Sequence, residues 1–363
     1  MNRVSMLVTS VLLVLTLAAC AGAGDPMIST NNASSETNVA TMLGRSTRGG
    51  ATVYVMNVEP GPEIAVTVYT KGGASLLRTI SLGKSDANPY HLGLAVDTAG
   101  HLYAASYFSG NAALNIYENR GGKLLRTLHQ KHPFGSLTLD SGGNLYSACA
   151  SNRICEYAGA QQRVIRRLPN ACCQLAVDAS NDLAVRRGTT SVPVFAPGQM
   201  QPYWQITTGI DYTLDRLAFD ASGDLYAANA GANQAGSVSV YAPGDSSPAR
   251  TITSGVNRPT DLAFDGTGNL YVLDSGSNPS AVTIYPPGSG DPVRTITDGI
   301  VGAPGLGGGG AIALDAAGNL YVANAAQAPS TLGSVTVYSP GGSEPKLTIT
   351  KGIDNPIAVA VKP

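Results

Sequence analysis

A 14-residue motif recurs along most of this chain, and no other feature so narrows what it can fold into. Three copies read LAFDASGDLYAANA (Leu217 to Ala230), LAFDGTGNLYVLDS (Leu262 to Ser275) and IALDAAGNLYVANA (Ile312 to Ala325). Earlier copies read LAVDTAGHLYAASY (Leu94 to Tyr107) and LTLDSGGNLYSACA (Leu137 to Ala150), with LAVDASNDLAVRRG (Leu175 to Gly188) as a degenerate one. Each is two short β-forming runs about an Asp-x-x-Gly turn, where the carboxylate accepts turn N–H groups and Gly takes positive φ. A second unit follows each copy. SVSVYAPGDSSPARTI (Ser237 to Ile252), AVTIYPPGSGDPVRTI (Ala281 to Ile296) and SVTVYSPGGSEPKLTI (Ser334 to Ile349) are two more strands about a Pro-Gly turn. Their Val-x-Val-Tyr alternation marks a half-buried strand. The aromatic that closes it recurs as Tyr69, Tyr117, Tyr157, Phe195, Tyr241, Tyr285 and Tyr338.

Asp97, Asp140, Asp178, Asp220, Asp265 and Asp315 occupy one slot, and Lys362 takes that slot in a last, truncated copy. The spacing runs from 38 to 50 residues, so residues 51–363 hold seven repeats. Four strands at this period predict an all-β, seven-bladed β-propeller of four-stranded blades. The chain stops after the first strand of a repeat, and its first repeat (ATVYVM, Ala51 to Met56) lacks that strand. The C-terminal strand is therefore expected to join the N-terminal blade and close the ring, which removes two open edges.

The Leu-Ala-x-Asp-x-x-Gly-x-Leu-Tyr runs resemble the NHL-repeat family and related bacterial propellers, over essentially all of residues 51–363. That fold also carries gluconolactonase-like hydrolases and streptogramin lyases, so the resemblance implies a fold more than an activity. The hydrolases imply a metal held by a Glu and by Asn or Asp at the channel mouth. Asn229, Asp274 and Asn324 stand at matching places, without the Glu. The lyases imply a His/Glu constellation across blades. The four His (His91, His101, His129, His132) all fall in the first three blades, and the chain has six Glu.

Ahead of the repeats, MNRVSMLVTSVLLVLTLAAC has a basic start at Arg3, an apolar run and small residues before Cys20. This is the pattern of an export signal. LAAC resembles the lipobox of bacterial lipoproteins, which implies a signal peptide over 1–19 and lipidation of Cys20. Residues 20–50 are then the lipidated Cys and a small, polar, flexible tether, and the protein sits in the bacterial cell envelope, held to a membrane by its lipid alone. Of 363 residues, 43 are Gly, 22 Pro and 13% charged, which excludes helical bundles. A net charge of −1 removes the electrostatic case for nucleic acid.

Most recurring polar residues read as parts of the fold. The turn Asp residues cap turns, and Arg78, Arg126, Arg166, Arg250 and Arg294 read as charges that protect outer edges. Candidate ligand residues lie at the end bearing the loops between strands two and three, where the slot ending strand two holds Asn57, Ser106, Cys149, Arg187, Asn229, Asp274 and Asn324. The Asn and Asp there also suit capping of the turn that follows. Arg186 and Arg187 break the pattern and are candidates for an anionic or polar ligand. Cys149, Cys155, Cys172 and Cys173 converge on one corner of the ring. In an exported protein they read as two disulfides, Cys149–Cys155 with Cys172–Cys173 or a crossed pairing, and the competing reading is a thiolate metal site helped by His129 or His132. No Gly-x-Ser-x-Gly, His-Glu-x-x-His or phosphate-loop signature is present, and GAPGLGGGGA (Gly302 to Ala311) lacks the needed Lys. The expectation is a monomeric, non-catalytic binding or scaffold module for an envelope protein, a glycan or a small molecule. It needs no cofactor. The alternative is a lactonase-type hydrolase with a divalent metal at the channel mouth, and no catalytic residue is assigned.

Overall fold

The structure is a computed structural model. It describes residues 50–363 apart from 60–62, 71, 86–91, 151–152, 160–162, 170, 172–173, 189, 212–213, 232–235, 275–278, 302–309, 326–331 and 363, together with 30–31 and 35–36. Cys20 and the signal segment, His91, Cys172 and Cys173 lie outside the described residues. No described helix is long and apolar enough to cross a membrane.

Seven antiparallel sheets follow one another along the chain, each running from strand one to strand four in order. Blade 2 is Gly93–Val96, Leu102–Phe108, Asn111–Tyr117 and Leu124–Gln130. Blade 3 is Leu137–Leu139, Leu145–Ala150, Arg153–Ala158 and Arg163–Pro169. Blade 4, the degenerate repeat, keeps its four strands as Leu175–Val177, Leu183–Val185, Val192–Phe195 and Trp204–Ile206. Blades 5, 6 and 7 open on Leu214–Phe219, Asp261–Phe264 and Ala311–Leu314. The first strands pack against each other in succession around the ring, so strand one is innermost. This is the seven-bladed propeller that the repeat spacing predicts.

Blade 1 is built from both ends of the repeat region. Asn355–Lys362 pairs with Thr52–Glu59 in antiparallel register, Thr52 facing Lys362 and Val55 facing Val359. Glu63–Thr70 and Ser75–Lys84 complete it. The expected closure is present. Two short strands ahead of the ring, Thr30–Asn31 and Ser35–Glu36, form a hairpin that pairs with the innermost strand of blade 3, Thr30 facing Leu139.

The core lies between blades, not inside them. Tyr54, Met56, Ile64 and Val66 of blade 1 pack on Leu94, Val96 and Leu102 of blade 2, and Trp204, Ile206 and Val194 of blade 4 pack on Leu217, Phe219 and Leu225 of blade 5. Each interface is a separate apolar layer, because a twisted four-stranded sheet has two faces and buries both only against neighbours. Burial falls off outward. Leu225–Asn229 is wholly buried, whereas the outermost Ser75–Lys84 is largely exposed.

Candidate functional site

The repeated polar residues are consumed by the fold. In blade 6 the Asp265 carboxylate accepts from Thr267 and Asn269 backbone N–H at 2.9 Å each, from the Thr267 hydroxyl and Asn269 amide at 2.8 Å, and from the Tyr271 hydroxyl at 3.4 Å. Burial pushes this acid up, and the four closer hydrogen bonds outweigh it and leave the carboxyl below its usual range. Asp140, Asp220 and Asp315 repeat the arrangement with Tyr146, Tyr226 and Tyr321 at 3.1 to 3.3 Å. Glycine at φ +85° (Gly223) closes such a turn. In the degenerate repeat Asn181 takes that role at φ +68°, and its Oδ1 accepts from the Ser141 N–H and hydroxyl of the preceding blade. The capping role expected for these carboxylates is what they perform.

The slot ending strand two does something the sequence reading missed. Asn229 donates to Gly209 O at 3.0 Å and accepts from Asp211 N–H at 3.1 Å. Asn324 donates to Gly299 O at 3.0 Å and to the Thr336 hydroxyl at 2.8 Å, and accepts from Val301 N–H at 2.9 Å. These side chains hold the connection that enters their own blade, rather than the turn that follows strand two. Strand-three tyrosines grip the same connections: Tyr241 donates to Thr208 O, Tyr285 to Ser254 O and Tyr338 to Asp298 O, at 2.5 to 2.8 Å. The outer arginines were likewise read too simply as edge charges. Arg78 donates to Gly121 O at 3.1 Å, and Arg166 to Ala196 O and Gln199 O at 3.2 and 2.6 Å, each reaching the next blade.

Asp274 takes the Asn slot in blade 6 and accepts from Arg258 N–H at 2.9 Å and Asn257 N–H at 3.4 Å. Burial raises its carboxyl to about 7 even against those two donors. Asn229, Asp274 and Asn324 thus sit in three successive blades, each buried and bonded within its own blade. Among the described residues no three His, Cys, Asp or Glu side chains converge as a metal-holding group. Cys149 and Cys155 form a disulfide with Cα atoms 5.6 Å apart, one of the bridges expected for these residues; Cys172 and Cys173 lie outside the described residues.

The two off-pattern arginines part company. Arg187 stacks its guanidinium 5.9 Å from the Phe195 ring centroid, and its backbone bridges to Ser191 within the blade. Arg186 reaches into blade 5 and donates to Leu214 O at 3.0 Å. There it meets a cluster of charges. Asp215 lies in a β-bulge at the start of the innermost strand, with Arg216, Arg258 and Arg186 opposing the burial that pushes its carboxyl up to about 6, and Asp211 adding to the rise. Arg216 pairs with Asp261 of the next innermost strand, Nε to Oδ1 at 2.9 Å, both buried. The second Asp261 oxygen accepts from Ile312 N–H at 2.9 Å in blade 7. One buried carboxylate therefore ties blades 5, 6 and 7 at their inner edges.

This cluster stands where the innermost strands begin, at the end of the ring where Arg186 and the buried Asp274 also lie. It combines guanidinium donors with the Asp215 carboxylate, which burial raises to about 6, the equipment for holding a polar or charged group. Its signals were in the sequence. The position before the repeat Leu is Gly93, Ser136, Gln174, Ala311 or Ala358 elsewhere, but Arg216 and Asp261 here. The connection ITTGIDYTLDRLAFD also runs one residue longer than ITSGVNRPTDLAFD, and that extra residue is the bulge.

No protein-family model and no curated protein sequence matches the chain. Solved structures do. A functionally unknown protein from Desulfotomaculum acetoxidans superposes with a TM-score of 0.62 at 15% identity, covering 86% of this chain and 99% of its own. A "putative 6-phosphogluconolactonase" from Bacteroides fragilis gives 0.62 at 15% identity, covering 88% and 100%. What the chain shares with both is the propeller fold.

Proposed function

We propose that the protein is an exported, lipid-anchored propeller that works by binding, and that it presents the mouth of its ring around blades 4 to 6 to an envelope protein, a glycan or a small polar ligand. One observation carries this reading: the repeat's own Asp, Tyr and Asn side chains are occupied inside the fold, while charges that break the repeat collect at one place, Arg186, Asp215, Arg216 and Arg258. These charges stand at the inner rim of the ring rather than in the turns that the repeat uses. The resemblance of LAAC to a lipobox supports attachment through Cys20, and the segment ahead of the hairpin on blade 3, residues 21–29, would supply the reach from the membrane.

The test uses the mature chain and an Arg186→Ala/Asp215→Asn variant. Saturable binding of soluble cell-wall glycan fragments, weakened at least about tenfold in the variant at unchanged melting temperature, is the expected result. Metal-dependent turnover of a sugar lactone abolished by Asp274→Ala would replace it with the hydrolase reading, which the Bacteroides fragilis neighbour's name brings to mind. Palmitate labelling lost in Cys20→Ser tests the anchor.

A further inference from the structure

The wall between blades 2 and 3 encloses a second feature with the makings of a site. A cavity of about 300 Å³ opens there, lined by His129, by the cationic Arg153 and Arg167, by Phe134 and Tyr157, and by the Cys149–Cys155 disulfide. Among the described residues no carboxylate lines it. Register explains the clustering. Cys155 lies opposite Arg167 across the strand pair, and Arg153 is two residues before Cys155, so both guanidiniums leave the same face of blade 3. Both are exposed, and among the described residues neither makes an ion pair, in contrast to Arg166 between them, whose Nε sits 2.6 Å from Glu156. Arg167 is close enough to the Tyr157 hydroxyl to counter the burial that raises that group to about 12. Tyr157 is held by Gln130, whose amide in turn donates to Ala148 O at 2.9 Å. The aromatic floor is therefore fixed, and the disulfide closes the short loop that carries Arg153.

We propose that this cavity binds a small organic anion, its carboxylate or phosphate held by Arg153 and Arg167 and its apolar body resting on Phe134 and Tyr157. Two guanidiniums that make no ion pair among the described residues, both at the rim of one partly apolar hollow, are matched by one anionic group. The volume admits a ligand of roughly ten to fifteen non-hydrogen atoms, at the small end of ordinary ligand pockets. The site is separate from the mouth cluster, so it stands or falls independently of the function proposed above.

The probe is 2-naphthoate, titrated into the oxidised full chain by calorimetry, with the neutral 2-naphthamide as its uncharged counterpart. We expect saturable one-to-one binding of the acid, with the amide at least about tenfold weaker. Arg153→Gln and Arg167→Gln should each weaken the acid about tenfold or more, while Arg163→Gln, on the same strand but outside the cavity, should leave it unchanged. Urea melts confirm that the variants are folded. Equal affinity for acid and amide, wild-type affinity in both variants, or no saturation by about 5 mM would overturn the proposal. Reducing the disulfide should weaken the acid several-fold by freeing Arg153, and unchanged affinity after reduction would overturn the disulfide's part in it.

Discussion

Asp274 shows how one atom changes a conserved slot within a single chain. Asn229 and Asn324 donate an amide hydrogen to a glycine carbonyl of the incoming connection, at 3.0 Å in both. An ionised Asp274 has no hydrogen to give, and it is only 3% exposed, so its charge stays poorly solvated. Its folded carboxyl titrates near 7 against an ordinary value of 3.8. Between about pH 4 and pH 7 the folded state then holds more protons than the unfolded chain, so stability falls as pH rises and the loss is complete above 7. Asp274→Asn should remove that dependence and stabilise the protein at pH 8 by on the order of 3 kcal/mol, with the gain vanishing at pH 4. Urea midpoints of the two proteins at pH 4, 6 and 8 check it, and parallel pH profiles would count against the burial argument. At this scale the turn carboxylates were legible in the sequence because their partners are two to six residues away. The backbone groups that Asn229 and Arg166 bond lie 18 to 33 residues away, and local pattern says nothing about them.

Between elements, the ring is sewn by polar links set around apolar layers. Tyr285 donates to Ser254 O at 2.6 Å, and removing that hydroxyl in Tyr285→Phe leaves a carbonyl short of a partner, at a cost of about 1 kcal/mol in a urea melt. The buried Arg216–Asp261 pair behaves differently. Arg216→Met strands a carboxylate that is wholly inaccessible to solvent, and the expected loss is about 3–5 kcal/mol. Pairing it with Asp261→Asn should recover much of that loss, so the double-mutant cycle shows strong coupling; additive costs would mean that the two groups do not act as a pair. Strands and their order could be read from the chain because each carries its own alternation and turn. The Arg216–Asp261 link could not, since the two residues are 45 positions apart and meet only once blades 5 and 6 stand side by side.

For the whole molecule, closure is the decisive interaction. Residues 355–362 supply the innermost strand of blade 1, and their side chains Ile357, Ala358 and Ala360 belong to the layer shared by blades 1 and 2, while Val359 and Val361 belong to the layer with blade 7. Deleting Ile357 to Pro363 removes both contributions at once and exposes strand edges. The expected outcome is aggregation or a broad, non-cooperative thermal transition, and a melting curve equal to wild type would refute the role of closure. The departures from the repeat are found at two places, the charged cluster at the inner rim and the disulfide-walled cavity between the outer strands of blades 2 and 3.

Sequence by itself determined the number of blades, the strand order, the closing strand and the purpose of the turn carboxylates, because each follows from a period or from contacts within a few residues. Tertiary structure alone decided which off-pattern residues matter. It separated Arg186, which reaches the inner rim, from Arg187, which lies on Phe195, although the two are neighbours in the chain. It selected Cys149–Cys155 and placed His129 of one blade beside Arg153 and Arg167 of the next. The reason is geometric: successive blades bring together residues that the sequence separates by a whole repeat, and a charge acquires a chemical environment only when that neighbour is in place.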